Sequence, residues 1–182
     1  MDPLPISGSI LANLLRYQVV WFGTVLGTGY DRPDLGLVLG TAMLIWHFVV
    51  TRSPKVEWCV VLITLLIGGI WEWNMVHFGV VDYRGSPALA GVPVWILLLW
   101  AGFGCTLNGC LGWFRRRLGI AAVLGGLMGP LSWYGGAKIG ALTMPDPASG
   151  YLILGMGWFL MMPLLSGIAA KLLVEYGDEE QR

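Results

Sequence analysis

Long apolar runs dominate the chain and follow one another with only short polar connectors between them. A helix needs about 20 apolar residues to cross the hydrocarbon core of a bilayer, and nearly every run is long enough. Six such segments are predicted, at about Ser9 to Gly29, Leu35 to Val50, Val56 to Val80, Val92 to Trp113, Gly119 to Leu142 and Tyr151 to Val174. The pattern predicts an all-α polytopic membrane protein, a six-transmembrane-helix bundle forming one integral-membrane domain over residues 1–182.

The connectors carry turn chemistry and leave no room for a soluble domain. They read YDRPD, TRSPK, DYRGSPALAG, RRR and TMPDPASG. The opening MDPLPISG lacks the basic region and cleavage site of a signal peptide, so the first helix is expected to be retained.

The placement of lysine and arginine predicts the orientation, because basic loops resist translocation. Three basic residues, Arg32, Arg84 and Lys138, fall on one side. The opposite side has seven, namely Arg52, Lys55, Arg115, Arg116, Arg117, Lys171 and Arg182. We therefore expect both termini to be cytoplasmic, in a multi-pass protein of the bacterial inner membrane.

Composition agrees with this class and excludes others. The chain is 56% hydrophobic and 12% charged, with a mean hydropathy of +0.70. Its formal net charge is zero, so no basic surface is available for a phosphate backbone and no nucleic-acid partner is expected. The three cysteines, Cys59, Cys105 and Cys110, have no ligand spacing and are interpreted as reduced apolar side chains.

Glu72 lies inside an apolar run, where an unpaired carboxylate costs about 2.5 kcal/mol or more. It should therefore face the bundle and find a partner or a proton. Counting helical rise puts Lys138 at the same depth as Glu72, with His77 and Tyr134 in the same outer layer. A Glu72–Lys138 pair is the first interpretation. The alternatives are that both side chains reach the outer headgroups, or that Glu72 is protonated.

A second polar layer is predicted toward the cytoplasm. Its members are Asn13, Arg16, Gln18, His47, Thr106 and Asn108. Arg16 either reaches cytoplasmic phosphates or clamps an anionic headgroup between helices. Asn13 and Gln18 alternatively serve as interhelical hydrogen-bonding residues without a ligand.

Neither a metal nor a cofactor is expected. His47 and His77 lie about 20 Å apart along the membrane normal, so they cannot share an ion. Pro130 and Pro163 interrupt the last two helices, which are also rich in glycine, tryptophan and methionine. Two bent helices beside two polar layers predict a cavity for an elongated apolar ligand, although ordinary core packing accounts for the same residues.

Four segments resemble a known family. They are NLLRYQVVWFGTVLG, PVWILLLWAGFGCTLNGCLGWF, GPLSWYGGAKIGAL and GWFLMMPLL. The chain resembles the bacterial membrane family DUF2878 over about residues 12 to 170, where the family more often has aspartate in place of Glu72. The motif residues are Asn13, Gln18, Trp21, Phe22, Pro93, Trp95, Thr106, Leu107, Asn108, Gly129, Pro130 and Tyr134. The resemblance implies an envelope-lipid context, beside lipid-modifying enzymes such as cyclopropane-fatty-acid-synthase-like proteins.

Three functions remain open at this stage. The first is handling or modification of a lipid-like substrate, with Glu72 and His77 as the catalytic acid and base. Its ligand-binding residues would be Asn13, Arg16, Gln18, His47, Thr106, Asn108, Tyr134 and Lys138. The second is a small transporter or channel, against which the apolar gap between the polar layers argues. The third is a non-catalytic scaffold, so that the expected partners are membrane lipid and other membrane or lipid-modifying proteins.

Overall fold

Six α-helices form a bundle in the computed structural model, which describes residues 9–85 and 87–176. They are α1 (Ile10–Gly29), α2 (Pro33–Val50), α3 (Pro54–His77), α4 (Val94–Leu107), α5 (Leu118–Ile139) and α6 (Pro147–Tyr176). Five of these described helices, all except α4, are long and apolar enough to cross a membrane. Large apolar side chains are exposed on the outer surface of the bundle, as expected of helices in contact with lipid.

Short connectors reverse the chain after each helix, so that charged residues collect at two ends. We call one the basic end, which holds Arg16, Arg52, Lys55, Arg115, Arg116, Arg117 and Lys171. Glu57 and Glu175 are the acidic residues described there. Arg182, which entered the predicted orientation, lies outside the described residues.

The opposite end, which we call the strand end, contains four short strands that the sequence did not predict. Strand β1 (Asp82–Tyr83) pairs antiparallel with β4 (Leu142–Thr143), and β2 (Ala88–Leu89) pairs antiparallel with β3 (Val92–Pro93). Ala90 and Gly91, with φ of 51° and 85°, form the two-residue turn between β2 and β3. The first pair joins the connector after α3 to the connector after α5, and it fixes the position of Tyr83.

Helix α4 is shorter than the predicted span of Val92 to Trp113. Its 14 residues rise about 21 Å, less than the roughly 30 Å of hydrocarbon. Asn13 of α1 ends the helix, because its amide binds the Cys105 carbonyl at 3.1 Å and its oxygen accepts from the Cys110 backbone N–H at 2.9 Å. The chain then turns and continues as a 3-10 helix over Gly112–Arg116.

Three other helix ends differ by three or four residues from the approximate predicted bounds, because capping groups lie within the connectors or just inside the apolar runs. Helix α3 ends before Gly79 and α5 ends before Gly140, both of which adopt positive φ, at 64° and 88°. Helix α6 begins at Pro147, four residues earlier than predicted, because Asp146 caps it. The Asp146 carboxylate accepts from the Ala148 N–H at 3.2 Å and the Ser149 hydroxyl at 2.7 Å.

Glycine allows the closest helix contacts. A Cβ at Gly125 of α5 would lie 2.6 Å from the Trp158 carbonyl oxygen of α6. A Cβ at Gly104 of α4 would lie 2.9 Å from the Val61 Cα of α3. These contacts draw α5 onto α6 and α3 onto α4. Both α5 and α6 continue as helix through their internal prolines, Pro130 and Pro163.

Candidate functional site

Glu72 is fully buried and belongs to a hydrogen-bonded group near the strand end, which we call the Glu72 cluster. Its Oε1 accepts from the Trp100 indole N–H at 2.9 Å, and its Oε2 accepts from the Tyr83 hydroxyl at 2.5 Å. The Trp133 indole N–H donates to the Tyr83 oxygen at 2.7 Å. The carboxylate therefore joins α3 to α4 directly and to α5 through β1.

Tyr83 acts as a neutral donor in this cluster. Burial raises the pKa of Tyr83 well above its ordinary value of 10.0, and the neighbouring Glu72 carboxylate raises that pKa further. The phenol consequently stays protonated at physiological pH, and its O–H donates a hydrogen bond to Glu72. Sequence reasoning did not identify Tyr83, because this residue lies in a connector and reaches Glu72 only through the pairing of β1 with β4.

The indoles of the cluster form a compact aromatic group. Trp100 stacks on Trp158 with ring centroids 5.0 Å apart and planes 8° apart, and Trp133 lies 5.8 Å from Trp158. A Cβ at Gly68 would lie only 2.0 Å from the Trp100 ring, so glycine is required beneath this indole. Gly129 provides the same space beneath Trp158, at 2.4 Å.

The basic end contains a second buried group, which we call the Glu57 cluster. Glu57 of α3 accepts from Asn108 Nδ2 at 2.9 Å and lies 2.8 Å from His47 Nε2 of α2. All three side chains are at most 1% exposed. His47 and Asn108 were predicted from the sequence, whereas Glu57 was missed. The apolar residues around it, in the stretch KVEWCVV, were the available signal.

Buried polar atoms without a protein partner occur within the Glu57 cluster and in the connector between α2 and α3. Among the described residues, His47 Nδ1 and Asn108 Oδ1 have no hydrogen bond, nor do the hydroxyls of Thr51 and Ser53 in the connector between α2 and α3. Such atoms in native proteins are commonly satisfied by buried water. The arrangement is therefore suited to holding water inside the bundle at this end.

The other residues of the second polar layer, which was predicted toward the cytoplasm, make different contacts. Asn13 is 1% exposed and ends α4, as described above. Thr106 is equally buried and donates its hydroxyl to the Phe103 carbonyl at 2.6 Å. Arg16 is partly exposed, with its Nε donating to the Ala12 carbonyl at 3.1 Å, and Gln18 is exposed. Of the six residues predicted in this layer, His47 and Asn108 join the Glu57 cluster.

Three predicted residues of the outer layer lie on the exterior. His77 is exposed and stacks on Trp73, with ring centroids 4.7 Å apart. Lys138 and Tyr134 are also exposed, and Lys138 Nζ lies 5.3 Å above the Tyr134 ring. The expected Glu72–Lys138 pair is therefore wrong, because Tyr83 and Trp100 occupy both carboxylate oxygens. Likewise, the structure does not bring His77 to Glu72.

A large cleft of about 480 Å³ lies between α1, α4, α5 and α6. Along α5 it runs from Leu124 to Gly136, a rise of about 18 Å. Its walls are mainly apolar and aromatic, and they include the Trp100, Trp133 and Trp158 indoles of the aromatic group. Polar side chains in the wall are few, namely Gln18, Thr106, Cys110 and Ser132, together with the Tyr17 hydroxyl.

The cleft opens sideways between α1 and α5. Leu14 and Phe22 of α1 and Met128 and Leu131 of α5 line it and are each between 41% and 57% exposed. Toward the strand end the two helices approach, since Trp21 donates to the Ser132 hydroxyl at 3.0 Å. Access is therefore from the lipid-facing side of the bundle.

The fold and site define a class of protein: a multi-span helical membrane protein with two buried carboxylate clusters and an aromatic cleft open to the side. A family model described as "Protein of unknown function (DUF2878)" matches residues 10–164. The chain therefore belongs to the DUF2878 family, which confirms the resemblance seen in its motifs. No curated protein and no solved structure matches the chain.

Proposed function

We propose that the protein binds a lipid-like ligand from the bilayer, with one elongated apolar chain inside the cleft. The sideways opening carries this proposal, because a bilayer chain can enter there without crossing water. The volume of about 480 Å³ falls within the range of small-molecule sites, roughly 300–1,000 Å³. The setting proposed for this activity is the bacterial inner membrane, with both termini cytoplasmic.

Glu72 acts in this proposal as a positioning residue. Its carboxylate is fully buried and both oxygens accept hydrogen bonds, so it presents no free oxygen to the cleft. Trp100 and Trp133 stand between Glu72 and the ligand, and their rings form part of the cleft wall. Glu72 and Tyr83 therefore hold the wall in shape, and the assigned function is binding.

The apolar material between the two carboxylates favours binding over conduction. Glu57 and Glu72 are separated by about 22 Å along α3. The buried α3 side chains between them are Val60, Val61 and Thr64, and the Thr64 hydroxyl donates to its own helix at 2.7 Å. A path for ions or polar solutes needs a more continuous series of polar groups.

Photo-cross-linking in nanodiscs tests the proposed binding. A phospholipid with a diazirine on one acyl chain should label cleft residues of α5 saturably, so that excess unlabelled lipid removes the label. Leu124→Trp places an indole in the cleft and should reduce cleft labelling at least fivefold. Labelling of the exposed residues on α3 should stay unchanged and unsaturable.

Leu66→Trp provides the matched control, because Leu66 is 64% exposed on α3 and is remote from the cleft lining. It should leave cleft labelling at the level of the unmodified protein. Equal, unsaturable labelling of α3 and α5 in the unmodified protein would refute binding in the cleft.

A further inference from the structure

We infer that the ligand of the cleft is an anionic phospholipid, held with its headgroup at the basic end. This inference rests on the proposed function and adds the class and orientation of the ligand. Two cationic residues there are close in sequence to residues that line the cleft. Arg16 lies between the lining residues Leu14 and Tyr17 on α1, and Arg115 directly follows the lining residue Phe114.

Charge is distributed unevenly between the two ends of the cleft. The described residues of the basic end include seven cationic side chains and two acidic ones, of which Glu57 is buried in its own cluster. The strand end has three cationic side chains, Arg32, Arg84 and Lys138. Against them stand five acidic ones, Asp31, Asp34, Asp82, Asp146 and the buried Glu72. A negative headgroup is therefore attracted to one end only.

The shape of the cleft agrees with this orientation. At the strand half, Trp21 bonds to Ser132 and the Gly29 backbone packs on the Ile139 carbonyl, so α1 and α5 close the opening. Nearer the basic end, the exposed side chains of Leu14 and Met128 flank it. A headgroup therefore has room at the basic end, while the chain extends toward the aromatic group.

A phospholipid accounts for these features better than a soluble anion or a free fatty acid. The sideways opening allows one acyl chain to enter while the second remains in the bilayer. The arginines of the basic end suit a phosphate, to which a guanidinium can donate two hydrogen bonds at once. The exposed Gln18 amide at the rim supplies a further donor for headgroup oxygens.

The test compares two photoreactive phospholipids in nanodiscs. Phosphatidylglycerol and phosphatidylcholine carry the same diazirine acyl chain at equal mole fraction, and cross-linked peptides are quantified. The expected result is at least a fivefold excess of phosphatidylglycerol label in the cleft, which falls in 0.5 M KCl. Equal saturable labelling by both lipids would overturn the headgroup inference and leave cleft binding intact. Absence of saturable labelling by either lipid would overturn the binding itself.

Two variants locate the headgroup. Arg16→Gln and Arg115→Gln should each lower the phosphatidylglycerol preference by about twofold or more. Lys138→Gln removes the same charge at the strand end and should not alter the preference. If Lys138→Gln lowers the phosphatidylglycerol preference as much as Arg16→Gln, the proposed orientation is refuted.

If photoreactive oleate displaces the phosphatidylglycerol label at equal concentration, the ligand is a fatty acid and the phospholipid assignment is overturned. The lipid comparison on the unmodified protein is independent of variant folding.

Discussion

Gly68→Ala is expected to displace the Trp100 indole from Glu72 and to weaken ligand binding in the cleft about tenfold. The new Cβ would lie 2.0 Å from Trp100 Cδ2 and 2.4 Å from Cε3. A rigid ring can relieve this overlap only by moving, which breaks its 2.9 Å bond to Glu72 and its stack on Trp158. A lost buried hydrogen bond costs about 1–3 kcal/mol and an aromatic pair about 0.5–1.5 kcal/mol, so a tenfold loss is a modest expectation.

Near-ultraviolet circular dichroism detects the displacement of the Trp100 ring, and saturable cross-linking of the acyl chain measures ligand binding in the cleft. Gly69→Ala is the matched control one residue away, where the nearest atom to a new Cβ is Leu97 Cδ2 at an ordinary 3.6 Å. Alanine there should preserve both signals and favour the helix by up to about 1 kcal/mol. Unaltered dichroism and binding in Gly68→Ala would contradict the role assigned to the Trp100 wall.

Glu57→Ala is expected to produce the largest loss of stability, about 3 kcal/mol in the free energy of unfolding. Removal of the carboxylate leaves His47 Nε2 and Asn108 Nδ2 buried without partners. Breaking a buried ionic contact from one side typically costs about 3–5 kcal/mol, whereas an average interhelical hydrogen bond in a membrane protein contributes about 0.6 kcal/mol. The expected loss of about 3 kcal/mol is above this average because His47 Nε2 and Asn108 Nδ2 lose the same partner, and each unsatisfied buried polar group costs about 1–3 kcal/mol.

Unfolding in mixed detergent micelles with increasing dodecyl sulfate, followed by tryptophan fluorescence, measures this loss. Glu57→Gln keeps one acceptor oxygen and should lose less than Glu57→Ala. Glu175→Ala removes an exposed carboxylate at the same end and should change stability by less than about 0.5 kcal/mol. A change of less than about 0.5 kcal/mol in Glu57→Ala would show that the packing of α2, α3 and α4 is not stabilised by the contacts of Glu57.

Much of the fold was predictable, because length and apolar character alone identify helices in hydrocarbon. The boundaries were less predictable. The cap of α6, Asp146, lies in the connector after α5 and was not recognised in the sequence. The segment after Leu107 is apolar enough to continue as a helix, but contacts with Asn13 of α1 end the helix there. The ends of the helices thus depend on specific polar contacts, some of them distant in sequence.

The buried polar residues were partly predictable as well. Burial of Glu72, His47 and Asn108 follows from the cost of exposing polar groups to lipid. Their partners did not follow, because helical rise gives the depth of a residue and not the direction of its side chain. Lys138 shares the depth of Glu72 but points outward. Tyr83 reaches Glu72 only through a strand pairing that no local pattern indicates.

The short central helix α4 has a mechanical consequence. Asn13 fastens one end to α1, and the Trp95 indole fastens the other by donating to the Arg84 carbonyl at 2.8 Å. Helix α4, which rises about 21 Å, is thus fixed at both ends, and the other five described helices are long and apolar enough to cross a membrane. A thicker or thinner bilayer should therefore change the tilt of α1 and α5 relative to α4. The width of the cleft opening between α1 and α5 should then depend on the thickness of the membrane in which the protein resides.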